Sequence, residues 1–510
     1  MKLLSYKEKA IKGVSWHLLS YIISAPIAYL VRILYANEIP KLDVGLFYAI
    51  WDFVNILVVF RAFGLDQALI RYIPKYLAEN RLDMLKSSIV FVGIFQTILT
   101  FIVALLVVVF SPYIAELYIN NQGQFTGRLD LVVNVLIIMV GGYYLLDSIV
   151  SFFSCILMGF QLQNYASSTR VVRILSVFAF SLALIYIFNI HNAYVPSVSY
   201  TLMAIVMIVI YGYIVFKKIF QKYVKEKLTF SKKFIVDLFS YGVYVMMGYA
   251  GSLILGYLDG ICLTYFTGLN AVADYRNVAM PTVSILSYFA FSIGTVLFPM
   301  SSELWEKGYK KALSYGIEKV FLYSLITIVP LTILMAYFPT IIINVLFNPQ
   351  YLSAAPALQI LSLGALFSTF NAIGFNIING IGKPNISTKI LYIGAIFNLV
   401  FNILLIPKFG IIGAAITTVF GYFIMWILQI WFLSRFLEHQ FLNKKWILVI
   451  LIGIFSLIPV VFIKDLVNNP ILKLFICGIV YFGIYMLGII WFKIIDIYEV
   501  KDIISNIIKR

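Results

Sequence analysis

GVSWHLLSYIISAPIAYLVRILYANEIPKLDVGLFYAIWDFVNILVVFRAFGLDQALIRY, residues 13–72, decides how the rest of the chain is read. From Gly13 to Tyr35, and again from Val44 to Gly64, it is apolar over the roughly 20 residues that a helix rising 1.5 Å per residue needs to cross a bilayer. Yet these two stretches contain His17, Arg32, Asp52, Asn55 and Arg61. A charge near the bilayer centre costs on the order of 2.5–3.5 kcal/mol on insertion scales. Such side chains are therefore expected to face a wet cavity or a polar ligand, not lipid.

The same texture runs through all 510 residues, of which 62% are hydrophobic and 12% charged, with a mean hydropathy of +0.98. That excludes a soluble globular domain. The strand alternation of an outer-membrane barrel is absent. The expected fold is an all-α polytopic membrane protein with about 14 transmembrane helices, at 13–35, 44–64, 88–110, 131–157, 168–189, 194–216, 237–259, 276–299, 316–337, 354–379, 386–406, 411–433, 446–463 and 471–492.

The basic residues agree with this count. With the N-terminus cytoplasmic, 30 of the 38 Lys and Arg residues fall inside, Arg170 and Arg173 among them, 6 fall outside, and Arg32 and Arg61 lie within spans. This places the N- and C-termini in the cytoplasm of a multi-pass cell-membrane protein. The net charge of +16 is then loop charge and does not imply a nucleic-acid partner. The lysines before the first span, with no small-residue cleavage site after it, read as an uncleaved signal anchor.

The chain repeats. Leu77–Leu85 and Trp305–Leu313 occupy equivalent loops, as do Ser111-Pro112-Tyr113 and Phe338-Pro339-Thr340. Gly159 and Asn164 are matched by Gly380 and Asn385. Spans 1–6 and 7–12 thus read as a parallel duplication with a site at the interface of the halves. The expected organisation is an N-terminal lobe (1–220), a basic linker (221–236), a C-terminal lobe (237–435), and spans 13 and 14 with a cytoplasmic tail (436–510).

Several motifs carry a resemblance. They are Tyr35-Ala36-Asn37-Glu38-Ile39-Pro40-Lys41-Leu42-Asp43-Val44-Gly45-Leu46-Phe47, Phe63–Tyr72, Leu346–Tyr351 with Leu358–Gly364, and Asn402–Ala415, where Pro407 and Gly410 open a small-residue helix. Over about residues 5–435 the chain resembles the polysaccharide-export branch, the Wzx-type flippases, of the multidrug/oligosaccharidyl-lipid/polysaccharide (MOP, MATE-like) exporter superfamily. It departs at Asn37, where many relatives carry arginine, so no ligand role is assigned there.

The resemblance implies two pseudo-symmetric six-helix lobes working by alternating access. It also implies a substrate in which an oligosaccharide is linked to a polyprenyl phosphate or diphosphate. Relatives in the lipid II branch line their cavity with arginines from spans 1, 2 and 8, the spans that carry Arg32, Arg61 and Arg276 here. Arginine suits phosphate because it is planar, always charged and bidentate. Each of the three also has a plainer reading: snorkelling for Arg32 and Arg61, and a pair with Asp274 or Asp259 for Arg276. Asp52 and Asp147 lie deeper, as proton site, cation site or arginine partner. Nine residues along a straight helix turn Arg61 about 180° away from Asp52. Span 10 adds a polar stripe of Ser368, Asn371, Asn376 and Asn379, and span 11 adds Asn398 and Asn402. These read either as sugar-facing groups, with Asn55, or as interhelical hydrogen bonds.

No Walker A sequence is present, His17, His191 and His439 are scattered, and Cys155, Cys262 and Cys477 lie far apart, so no cofactor or metal is expected. H+ or Na+ is left as a coupling ion. The expected function is a lipid-linked oligosaccharide flippase, not an enzyme. Its partners would be the bilayer, the lipid-linked oligosaccharide and glycan polymerase or ligase machinery. The alternatives are a cation-coupled drug or metabolite antiporter of the same superfamily, and a membrane glycosyltransferase or polymerase. Arg32 in place of a span-1 acid disfavours the first, and the short outer loops disfavour the second.

Overall fold

A computed structural model describes residues 20–494 except 21, 126, 231 and 442. The residues before Ser20, including His17 and the start of span 1, lie outside the described residues, as does the tail from 495 onward. The described chain is helical with no strands.

Its principal helices are α1 (22–38), α2 (Lys41–Leu57), α3 (Leu65–Ala78), α4 (Leu82–Val109), α5 (Leu129–Gly159), α6 (Gln163–Leu182), α7 (Tyr194–Val215), α8 (Lys232–Phe266), α9 (Met280–Glu306), α10 (Lys310–Tyr337), α11 (Ala355–Gly380), α12 (Pro384–Leu437), α13 (Lys444–Phe455) and α14 (Pro470–Trp491). Among the described residues, 11 helices are long and apolar enough to cross a membrane. α1 and α9, which lie over expected spans 1 and 8, are not among those 11.

α12 accounts for a further difference from the expected 14. Its 54 residues would rise about 80 Å, more than twice a hydrocarbon core of roughly 30 Å. The backbone breaks at Gly410 (φ 55°, ψ −131°), a conformation open to glycine because it has no Cβ. Pro407 sits just before the break. A Cβ on Gly413 would press into Leu405 O, so glycine also allows the two arms to approach. Expected spans 11 and 12 are these two arms.

The chain divides into two compact units. The first is Met1–Val278 with Ala395–Ala414, and the second is Ala279–Gly394 with Ala415–Arg510. In the first unit, Phe47, Trp51, Tyr143 and Tyr200 form one aromatic cluster, with Trp51 4.6 Å from Tyr200 and 5.2 Å from Tyr143. The amphipathic α3 buries Leu65, Ala68, Leu69, Tyr72, Ile73 and Tyr76, the spacing of one helical face. It follows a turn in which Gly64 takes φ 74° with its Cα against Gly242 O.

In the second unit, α9 and α11 meet through small residues. A Cβ on Gly380 would strike Phe298 O, and one on Gly294 would meet the Asn376 amide. Phe321, Phe370, Trp426 and Trp446 form its aromatic core. α14 docks through Tyr481, which donates to Gly453 O at 3.0 Å, and Tyr485, which donates to Ile326 O at 2.9 Å.

Candidate functional site

The first unit holds two clusters of buried charge. Asp52, on α2, faces one, and Arg61, in the turn beyond the 3-10 turn Val58–Phe60 that follows α2, faces the other.

At the first cluster, Asp52 is fully buried and Arg276 pairs with it through Nε at 3.0 Å and through Nη2. Arg276 lies in a wide π-helical turn, Ala273–Ala279, a local geometry frequent at functional sites. Its Nη1 donates to Gly256 O at 2.9 Å, and its guanidinium lies 5.3 Å from the Tyr257 ring centre. Gly260 makes room, since a Cβ there would overlap Asp52 Oδ2. That oxygen is buried with no hydrogen-bond partner among the described residues. Arg32, from α1, donates to Tyr48 Oη at 3.0 Å and to Arg276 O at 2.6 Å. The Asn277 amide in turn donates to Arg32 O at 3.2 Å. Arg32, Arg276 and Asp52 together carry one net positive charge, which the buried Asp259 nearby offsets.

Neither acid expected beside Arg276 takes it. Asp274 pairs with Lys41 at 2.6 Å. Asp259 accepts from Tyr275 at 2.8 Å and from the Asn402 amide at 2.7 Å, and Asn402 also donates to Asn398 Oδ1 at 2.9 Å. Asn398 and Asn402 are buried here, and their bonds run between helices and along their own.

At the second cluster, Arg61 Nη1 meets Asp147 Oδ2 at 3.1 Å and Arg173 Nη2 meets Asp147 Oδ1 at 2.5 Å. Arg61 also donates to Tyr144 O at 3.3 Å and lies 4.9 Å from the Tyr144 ring centre. Tyr144 closes a second π-helical turn, Ile138–Tyr144, which sets Asp147 three residues further on. Arg173, counted with the cytoplasmic basic residues at the start of span 168–189, lies within α6 with its side chain half-buried against Asp147. The signal for it was charge balance: an intramembrane carboxylate calls for a cation on a neighbouring helix.

Asn55 donates to Trp51 O of its own helix at 2.8 Å. In the second unit, Asn371 donates to Tyr422 O at 2.8 Å, joining α11 to α12, and Asn376 donates to Ala372 O. Ser368 pairs with Ser287 at 3.0 Å. The side-chain oxygens of Asn371 and Asn379 are buried without a hydrogen bond among the described residues. No group of three or more His, Cys, Asp or Glu able to hold a metal occurs among the described residues.

A family model described as polysaccharide biosynthesis protein matches residues 10–305, and a MatE model matches residues 245–404. An uncharacterized membrane protein of Methanocaldococcus jannaschii is 84% identical, over 99% of this chain and 100% of that one. The "Probable low-salt glycan biosynthesis flippase Agl15" of Haloferax volcanii is 22% identical over 40% of this chain and 43% of its own. Among solved structures, the lipid II flippase MurJ in an inward closed conformation aligns with a TM-score of 0.76 at 16% identity, covering 94% of this chain and 98% of that one. An inward-facing MATE family transporter of the MOP superfamily aligns with a TM-score of 0.65 at 14% identity, over 84% and 98%.

Proposed function

Because this chain belongs to the polysaccharide biosynthesis protein family, in the Wzx-type branch of the MOP exporter superfamily, we propose that it flips a lipid-linked oligosaccharide across the cell membrane. The carrier in this reading is a polyprenyl phosphate or diphosphate, and the movement is by alternating access of two six-helix lobes, residues 1–220 and 237–435. Both termini are cytoplasmic, as the distribution of Lys and Arg supports. The chain is a transporter, not an enzyme.

One observation carries this reading: two arginines, Arg32 and Arg276, meet within one unit, Arg32 donating to Arg276 O at 2.6 Å. Arg276 pairs with Asp52 with its side chain 11% exposed, and Arg32 is held by Tyr48 Oη and Arg276 O. Two guanidiniums in such a place are costly unless carboxylates or a ligand answer them. A phosphate would do so, accepting bidentate bonds that a drug cation could not offer. Transport against a gradient would draw on H+ or Na+.

Liposomes with a labelled prenyl-diphosphate oligosaccharide test the reading. Protein-dependent access of an external glycosidase to label in the inner leaflet is the expected result. No access, together with cation-driven uptake of a small dye, would replace the flippase with the antiporter.

A further inference from the structure

A pocket opens beside the second cluster. Its polar lining is Arg61, Asp66, Gln67, Ser151 and Tyr249, set among Val58, Val59, Val245 and Met246. The Gly64 turn builds it, reversing the chain between Arg61 and Asp66. None of Asp66, Gln67, Ser151 or Tyr249 takes part in the Arg276 cluster.

We infer that this pocket is the subsite for an uncharged sugar of the carried glycan, separate from the cluster that answers the phosphate. The inference rests on the flippase reading above.

Charge comes first. Arg61 and Arg173 are matched by Asp147 and Asp66, so the pocket has no formal excess for an anion to neutralise. The Arg276 cluster instead brings two arginines together, Arg32 and Arg276, the planar donors that suit phosphate.

Hydrogen-bonding capacity comes second. Asp66 is an acceptor already oriented: the Gln67 N–H donates to its Oδ1 at 2.8 Å and Ser151 Oγ donates to its Oδ2 at 3.4 Å. A carboxylate holds about four lone-pair sites, so capacity remains for sugar hydroxyls to donate into. Arg61 Nε is buried with no hydrogen-bond partner among the described residues, while both of its terminal nitrogens are engaged. A sugar hydroxyl both donates and accepts, so it can serve Asp66 and the exposed Gln67 amide together.

Shape comes third. Tyr249 is 51% exposed and gives the pocket an aromatic side chain, an apolar face with a polar tip. A pyranose presents the same combination, an apolar C–H face with a polar rim.

The test is binding to the purified full chain in detergent. The probes are a fifteen-carbon prenyl diphosphate, bare and carrying one N-acetylglucosamine or one glucuronic acid. The neutral sugar is expected to tighten binding about tenfold and the acidic sugar to give less than half that gain. In Tyr249→Ala and Gln67→Ala, both at exposed positions, the gain should vanish while the bare diphosphate binds as in the wild type. Arg276→Ala should weaken all three probes alike. A gain that survives both pocket variants, or a wild-type chain indifferent to the sugar, overturns the subsite and leaves the flippase reading standing. Failure of every probe to bind the wild type overturns both.

Discussion

Arg276 and Asp52 lie 224 residues apart in the chain and form a buried ion pair, with Arg276 Nε 3.0 Å from Asp52 Oδ1. Removing one partner of such a pair strands the other charge and costs about 3–5 kcal/mol, whereas replacing both with apolar groups of similar volume is often neutral. Asp52→Ala should therefore lower the thermal unfolding midpoint in detergent markedly. Asp52→Leu combined with Arg276→Met should recover most of that loss. Scanning fluorimetry of the three variants checks it, and the double variant should remain inactive in transport.

The second cluster predicts an order of effects. Asp147 serves two arginines, so Asp147→Ala leaves both Arg61 and Arg173 without their counter-charge. Arg173→Ala leaves the Arg61–Asp147 pair at 3.1 Å intact. The first variant should be the less stable by more than a factor of ten in folded population, measured by the fraction surviving heating as a monodisperse peak.

Gly410 predicts topology. If α12 reverses there, its two ends share one side of the membrane and the bend lies on the other. Lys383→Cys and Arg435→Cys, both exposed, should react with an impermeant maleimide from the same side, and Lys408→Cys from the opposite side. The three native cysteines are buried and should label weakly. Gly410→Ala forces a side chain into a conformation costing about 1–3 kcal/mol, and should reduce the yield of folded protein.

How much of this could be read from the sequence differs from residue to residue. Rotation on a straight helix separated Asp52 from Arg61 in the sequence, but α2 ends at Leu57 and Arg61 lies in the turn beyond it, where each still has its own partner. The turn at Pro407 and Gly410 was legible, because backbone chemistry is local. The partner of Arg276 was not. Local spacing offered Asp274 and Asp259, and the pairing with Asp52 depends on which helices pack, which no spacing within one span encodes. The partner of Arg173 was hidden for a related reason: a single arginine at the head of an apolar run reads as cytoplasmic charge, and only packing shows the carboxylate on another helix that it meets. Asn55 was expected to face a ligand, yet a side-chain amide can instead bond the carbonyl one turn back in its own helix.

Asn371 separates glue from ligand. Its amide spans to Tyr422 O at 2.8 Å, and interhelical bonds of this kind in membranes average about 0.6 kcal/mol. Asn371→Ala should cost little stability. If the residue only joins α11 to α12, the transport rate should stay within threefold of wild type. A loss comparable to that in Arg276→Ala would instead put Asn371 at the substrate.

The most direct test of the central claim is the flipping rate of a prenyl-diphosphate oligosaccharide in proteoliposomes, wild type against Arg276→Ala and Arg32→Ala. The account predicts a fall of at least tenfold in each, with the folded protein still inserted and monodisperse. Rates equal to wild type in both variants would contradict it, and would remove the arginine cluster from substrate recognition.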